Sequence, residues 1–428
     1  MIAFWFRRDL RLEDNAALYH ALKTGENVLP IFIFDKVILD ELPRKDARVS
    51  FIHATLCDLS AKLAKIGSTL QVFYGNPVEI WQEMAEKFAL SAVYTNHDYE
   101  PYAQKRDTEI ATFLGEKNIS FHTFKDQVIF EKEEILSNEG KPYTVFTPYS
   151  RKWKATLKEF YLKSYPTEKY FSHFHKAITK PIPTLLEMGF EEMSIDFPAV
   201  IPDKNIISTY EKTRDFPAQK GTTRMGLHLR FGTISIRKLA KIALSQNETY
   251  LNELIWRDFY AQILWHFPYV VSRSFKKDYD NIQWENNEAY FEKWCAGKTG
   301  YPLVDAGMRE LNATGYMHNR VRMLVASFLC KHLLIDWRRG EAYFAEKLLD
   351  FDLASNNGGW QWAAGSGCDA APYFRIFSPE AQLEKFDKQM EYVRKWVPEY
   401  GTPAYPRPIV EHKWARERCL EVYKKALS

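Results

Sequence analysis

The sequence predicts two domains of different class: an N-terminal α/β domain built on a doubly wound, mostly parallel sheet, and an all-α domain after it. Three observations carry this. Residues 1–125 alternate short β-branched or aromatic runs with amphipathic stretches, the pattern of βαβ units. Beyond residue 205 apolar residues recur at helical spacing, with no convincing strand. The 428 residues are also enough for two or three domains of roughly 100–200 residues each.

Taken in order, the first strand is Ile2–Phe6, five apolar residues followed at once by Arg7, Arg8 and Asp9. Charge arrives where the core of a secretory leader would continue. Val28–Phe34, Thr69–Tyr74, Ala92–Thr95 and Ser120–Phe124 read as the next strands, with helices at Asp46–Ile66, Pro77–Leu90 and Tyr102–Asn118. The turn after the first strand reads Arg7-Arg8-Asp9-Leu10-Arg11, so the Gly-x-Gly-x-x-Gly fingerprint of ordinary dinucleotide folds is missing. Over 126–205 the periodicity weakens and Pro181, Pro183, Pro198 and Pro202 interrupt mixed charge, as in an inter-domain connection. Helical spacing resumes at Tyr250–Phe267, Leu303–Asn312, Arg320–Leu334 and Glu341–Leu349, within a helical domain spanning 206–428.

Composition narrows the function. With 46% hydrophobic and 26% charged residues and no apolar run near the roughly 18–20 residues of a spanning helix, the chain reads as a cytoplasmic globular protein, expected as a monomer. Its five cysteines are odd in number, scattered and never spaced Cys-x-x-Cys, which argues against disulfides and zinc. Residues 1–130 carry net charge −3 and 131–428 net +6, and ten of the twelve tryptophans lie in the second part. A basic, aromatic domain suits nucleic acid and flat π ligands.

Several tempting motifs fail. Gly297-Lys298-Thr299 ends like a P-loop, but no leading Gly precedes it at the required spacing. Asp350 and Asp352 lie two apart, near no His or further acid, and His173 and His175 lack acid or Cys partners, so no metal is expected. No Ser or Cys sits in a triad motif, so an enzyme with this sequence needs a cofactor. Three segments stand out instead. Lys220 to Gly226 is hydroxyl-rich, carries one Arg and precedes an amphipathic stretch, which suits either a diphosphate or an ordinary helix cap. Glu253, Trp256 and Arg257 share one helical face: either a grip for a base and its phosphate, or a core Trp beside a surface ion pair. Asn356-Asn357-Gly358-Gly359-Trp360-Gln361-Trp362 sets amides and glycines between tryptophans, as if backbone were held against something planar and polar.

Together these segments resemble the DNA photolyase/cryptochrome flavoprotein family over essentially the whole length. The motifs are Phe4 to Asn15, Asn252 to Tyr260, Gly300 to Ala306, Met317 to Met323, and Asp350 to Trp362 continuing through Asp369 to Arg375. They look most like the class I bacterial enzymes that repair cyclobutane pyrimidine dimers. The resemblance implies FAD, active as FADH⁻, bound in the helical domain and donating an electron to a dimer under blue light. Tyr210 and Thr222, Thr223, Arg224, Met225 and Gly226 match the segment on the FAD phosphates. Asp350 and Asp352 match flavin and adenine contacts, Arg322 would pair with Asp350, and Asn356 matches the residue beside flavin N5. Glu253, Trp256, Arg257, Asn319, Arg320, Met323, Trp362 and Gln382 match dimer and DNA contacts, with Glu253 stabilising the dimer radical anion. Arg273, Lys276 and Lys277 are candidate phosphate contacts. Trp360, Trp337 and Trp294 match a chain of electron relays running from surface to flavin.

Departures from the family pattern matter too. Tyr102 and Ala103 stand where folate-using relatives carry an Asn-Glu pair, which speaks against a folate antenna; a deazaflavin, a flavin or no second chromophore stay open. Tyr316 stands in place of a Trp. The alternative within the family is a blue-light photoreceptor of cryptochrome type without repair activity. The amide at 356, where many cryptochromes carry Cys or Asp, and a chain ending soon after the last motif favour the enzyme. The other major pyrimidine photoproduct is a weaker candidate substrate, because only His318 occupies the motif where its enzymes place paired His residues.

Overall fold

The computed structural model describes residues 1–428 as two compact units. The first holds a five-stranded parallel sheet, β1 (Ile2–Phe6), β2 (Val28–Asp35), β3 (Gln71–Gly75), β4 (Ala92–Asn96) and β5 (Ser120–Phe124), in the order β3-β2-β1-β4-β5. Ile2 pairs with Val28 on one side and Ala92 on the other, so the chain direction of strand addition reverses at β1. Helices Pro77–Lys87 and Pro101–Glu116 pack on the sheet, and with Ala47–Lys65 they lie close to their predicted bounds.

The crevice at such a reversal is the usual ligand site of open α/β sheets. Here the Arg7-Arg8-Asp9 turn crosses it. Arg7 Nη1 donates to both carboxylate oxygens of Asp107 at 2.6 Å, and Arg8 Nη1 pairs with Asp98 and Glu100 at 3.2 and 2.8 Å. Trp5, 1% exposed, lies 4.9 Å from the guanidinium groups of both Arg7 and Arg106. Cations and carboxylates thus stand where a dinucleotide fold would have glycines.

The unit boundaries differ from the expected 1–125, 126–205 and 206–428. The first unit comprises 1–131, 156–201 and 224–245; the second comprises 132–155, 202–223 and 246–428. The Pro-rich stretch is therefore no passive connection. His175 N donates to Val28 O at 2.8 Å and Thr167 Oγ1 to Leu12 O at 2.7 Å, fastening 156–201 along the sheet unit. Residues 224–245 belong to that unit because Arg237, 5% exposed, donates to Asp14 at 2.9 Å and Asp126 at 2.7 Å. Gly232, at φ +63, is required there: a Cβ would stand 2.1 Å from Arg8 O. In the second unit, helix Phe146–Thr156 is held through Trp153 Nε1, which donates to Asp258 Oδ2 at 3.0 Å. Such long-range fastenings leave no periodic trace in sequence.

The second unit packs helices Pro302–Thr314, Asn319–Ser327, Trp337–Lys347 and Leu353–Ala364 about one apolar core that includes Met308, Phe328, Trp337 and Trp360, and helix Glu248–His266 lies against Leu353–Ala364. The Gly297-Lys298-Thr299 turn serves it as scaffold. Thr299 N, Thr299 Oγ1 and Gly300 N donate to buried Asp305 at 2.7, 2.6 and 3.0 Å, and Tyr405 Oη adds a fourth bond at 2.6 Å.

Candidate functional site

Helix Glu248–His266 starts at Asn247, whose side chain accepts from Tyr250 N, and carries Glu253, Trp256 and Arg257 half-buried along one face. Glu253 Oε1 is held by Arg214 Nη1, and 31% of its side chain stays exposed. Burial pushes its carboxyl pKa up, against the pull of Arg214. Phe146 stacks on Trp256 at 3.7 Å with rings 3° from parallel, so one indole face is covered and any substrate ring must use the other. Arg214 and neighbouring Asp215, not singled out from sequence, tie the segment together. Asp215 Oδ1 accepts from Arg320 Nη2 at 2.6 Å, and the Arg214 guanidinium lies 5.5 Å from the Tyr210 ring.

Helix Asn319–Ser327 displays exposed Asn319 and half-buried Arg320, Arg322 and Met323. Its N-cap is His318, whose Nδ1 accepts from Arg320 N at 3.2 Å, which places the ring proton on Nε2. Arg322 Nη2 pairs with Asp350 Oδ2 at 3.0 Å, as expected. The Phe386 ring, on helix Pro379–Phe386 with half-buried Gln382, lies 4.5 Å from the Arg320 guanidinium.

Of the hydroxyl-rich run, Thr222 and Thr223 belong to the helical unit, where they bond Tyr316 Oη at 3.0 Å and Tyr250 Oη at 2.8 Å. Tyr316 thus uses the hydroxyl that a Trp lacks. Arg224, exposed at φ +54, buried Met225 and Gly226 belong to the sheet unit. The helix that follows is five residues long, Gly226–Arg230.

The Asn-Gly-rich segment is a regular helix, Leu353–Ala364. Asp352 caps it, accepting from Ser355 N and Oγ at 3.1 and 3.0 Å, so one carboxylate oxygen is committed to the fold. Asn356 Nδ2 donates to Glu341 Oε1 at 2.8 Å, where burial raises the Glu341 pKa. Trp362 lies on the wall of a cleft of about 410 Å³ with Tyr260, Phe275, Gly358 and Cys368.

These groups fit a dinucleotide with donor and acceptor edges. His318 Nε2 and Asp350 Oδ1 are buried polar atoms without protein partners, one a donor and the other an acceptor. Neither demands a metal, and the structure has no cluster of three His, Cys, Asp or Glu that could hold one.

The relay expectation needs correction. Trp360 and Trp294 are edge-to-face with centroids 6.1 Å apart, but Trp294, Trp337 and Trp360 are 0, 1 and 2% exposed. Trp294 cannot be a surface terminus. Half-buried Trp284 packs on the same core, and its neighbours bracket the residues before Trp337: Glu285 N donates to Leu334 O at 2.8 Å and Asp336 N to Asn286 Oδ1 at 2.9 Å. Burial, which sequence did not give, separates the two tryptophans.

Two buried histidines set a pH dependence. Burial pushes the His318 pKa down to about 4 and the His332 pKa down to about 3, the latter with His412 Nδ1 2.9 Å from its Nε2. An unfolded His titrates near ~6.5, so from there down to about pH 4 the unfolded chain binds more protons. The stability these two histidines contribute is therefore complete above that range and is lost on acidification through it. Urea midpoints at pH 7.5, 6 and 5 should drop in that order, and His332→Gln should flatten the trend.

Comparison with known proteins places this geometry. Residues 2–169 match the family model described as DNA photolyase, and residues 250–403 the one described as FAD binding domain of DNA photolyase. The chain is 37% identical to the deoxyribodipyrimidine photo-lyase of Escherichia coli, covering 99% of this chain and 98% of that one. Among solved structures, the class III photolyase of Agrobacterium tumefaciens superposes with TM-score 0.88 at 34% identity, covering 99% of this chain and 97% of its own. The Sulfolobus tokodaii photolyase, solved with two FAD molecules, gives 0.80 at 35%, covering 99% of each chain. A Synechocystis cryptochrome gives 0.85 at 25%, also covering 99% of each.

Proposed function

The chain belongs to the DNA photolyase family, and from that premise we propose how its own residues carry out light-driven repair of cyclobutane pyrimidine dimers in DNA. The observation that carries the assignment of roles is the linked set Tyr210, Arg214, Glu253, Asp215 and Arg320, which joins the face of helix Glu248–His266 to the start of helix Asn319–Ser327. FAD, when reduced and bound, supplies an electron on absorbing blue light. The protein positions the partners of that transfer.

Arg322 and Asp350 hold the flavin edge as a charge-assisted pair, with Asp350 Oδ1 and the His318 Nε2 proton left for cofactor atoms. Thr222, Thr223 and Tyr210 take the phosphate side. Asn356, oriented by Glu341, presents an amide at the flavin, a group that does not readily give or take a proton at neutral pH. A dimer flipped from the duplex stacks on the uncovered face of Trp256 and on Trp362. Arg214 fixes Glu253 Oε1 and leaves Oε2 to hydrogen-bond a base edge, while Asn319 serves a second edge and Met323 packs beside them. Arg257, Arg320 and Gln382 contact DNA around the pocket.

No helix is long and apolar enough to cross a membrane, and a cytoplasmic, monomeric repair enzyme is the form we propose. A second chromophore is compatible with this reading, as in the archaeal structure with two FAD molecules. The test is conversion of a thymine-dimer oligonucleotide by pre-reduced protein under blue light and in darkness. Repair confined to the light supports the reading, and no repair by FAD-loaded protein shown to be fully reduced overturns it.

Trp284→Phe should slow light-driven reduction of the oxidised protein by an external donor, and Trp294→Phe should not, while both retain repair once chemically reduced. Equal slowing by the two variants would return the terminus to Trp294.

A further inference from the structure

The loop over residues 270–277 exposes three cations, Arg273, Lys276 and Lys277, yet its backbone is gripped from beneath by two buried amides. Asn357 Nδ2 donates to Val270 O at 2.9 Å. Gln361 Nε2 donates to Val270 O at 2.9 Å and Arg273 O at 3.2 Å, while its Oε1 accepts from Phe275 N at 2.8 Å. The amides also bond each other, Gln361 Nε2 to Asn357 Oδ1 at 3.2 Å, and are 3 and 2% exposed. Only an amide offers donors and an acceptor at one end, so no carboxylate or hydrocarbon could answer carbonyls and an N–H from one position. Further bonds flank the grip: Lys276 N donates to Ser366 O at 2.9 Å, and Arg338 joins Ser272 O at 2.9 Å to Asp280 at 2.6 Å.

Asn357 and Gln361 sit at i and i+4 on the helix that carries Asn356 and Trp362. One face of that helix thus serves the proposed flavin and dimer contacts, and another fixes the basic loop. A loop fixed before binding loses less conformational freedom when its cations meet phosphates. We propose that Asn357 and Gln361 are positioning residues for DNA: their clasp holds Arg273, Lys276 and Lys277 at a fixed register from Trp362, so that phosphate contact and dimer docking reinforce each other. The proposal rests on the dimer-repair reading and adds to it a role for two residues buried beneath the basic loop.

The experiment uses the FAD-loaded full chain as wild type, Gln361→Glu, the pair Arg273→Ala/Lys277→Ala, and their combination. Dissociation constants for a dimer oligonucleotide are measured in darkness across a salt series, beside FAD content and single-turnover repair at saturating DNA. Glutamate keeps the acceptor for Phe275 N and loses the donors. Gln361→Glu is expected to keep FAD and saturating repair, to weaken binding by about tenfold and to lower the salt slope. The cation pair should lower the slope by about two in the wild type. It should cost less in the Gln361→Glu background, because a loosened loop no longer presents its cations. Additive losses, unchanged affinity of Gln361→Glu, or no effect of the cation pair overturns the proposal. If Gln361→Glu sheds FAD, Asn357→Asp, which removes a single loop bond, is judged by the same affinity criteria; FAD loss in both makes the clasp a fold element only and overturns it. Wild type that binds DNA in this clasp-dependent way yet repairs nothing in light would instead sink the repair reading and leave the clasp standing.

Discussion

Glu253→Ala is expected to cut the preference for dimer-containing over undamaged DNA by about ten- to a hundredfold, the ~1–3 kcal/mol carried by one well-placed base-edge contact. Phosphate contacts are common to both DNAs, so general affinity should fall far less than the preference. The variant also leaves Arg214 with only Asp215, 3.8 Å away, and the Tyr210 ring as its neighbours. A partly exposed cation tolerates this loss, because 27% of its side chain is already in solvent. Glu253→Gln separates shape from charge: it keeps an acceptor for a base edge but cannot form the ion pair. If Gln restores most of the preference, the hydrogen bond is what selects the dimer. The check is competition binding in darkness, with FAD absorbance read on every sample. Equal losses on damaged and undamaged DNA would mean that Glu253 only shapes the pocket through Arg214.

The sequence made some of this legible and not the rest, for physical reasons. β1 and β5 were readable to the residue: β1 as a buried apolar run ended by Arg7, and β5, an edge strand with three exposed positions, by its aromatic and β-branched residues just after Asn118. Helix Leu353–Ala364 was not, because two Gly and two Asn score poorly as helix formers, and tertiary context overrides that weak preference. Its start did carry a signal, Asp352 three residues before Ser355, read from sequence only as a ligand contact. Arg214 and Asp215 had no signal at all: they lie outside any long periodic segment, and their partners Glu253 and Arg320 are distant in sequence. The ion pair of Arg322 with Asp350 was anticipated only through the family resemblance, since no spacing rule links residues 28 apart.

Gly358→Ala should destabilise the protein by about 1–3 kcal/mol, the usual cost of overpacking, and release FAD. Helix propensity alone argues the other way, because Ala inside a helix is favoured over Gly by up to about 1 kcal/mol. Packing wins here. A Cβ at 358 would stand 2.2, 2.3 and 2.9 Å from ring atoms of Tyr260, and that ring is itself wedged between Trp256 and Phe259, with centroids 5.4 and 5.8 Å away. To admit the methyl, helices Glu248–His266 and Leu353–Ala364 must part, carrying Glu253 and Trp256 away from Asn356 and Trp362. Gly359, one residue on, is the internal control: it is exposed, its Cβ would meet nothing within 4 Å, and Gly359→Ala should be neutral or stabilising by the propensity term. Urea midpoints and FAD retention for the two variants, compared side by side, isolate the contact. Should Gly358→Ala match Gly359→Ala in both, the close approach of these helices is not what sets the spacing of the dimer pocket.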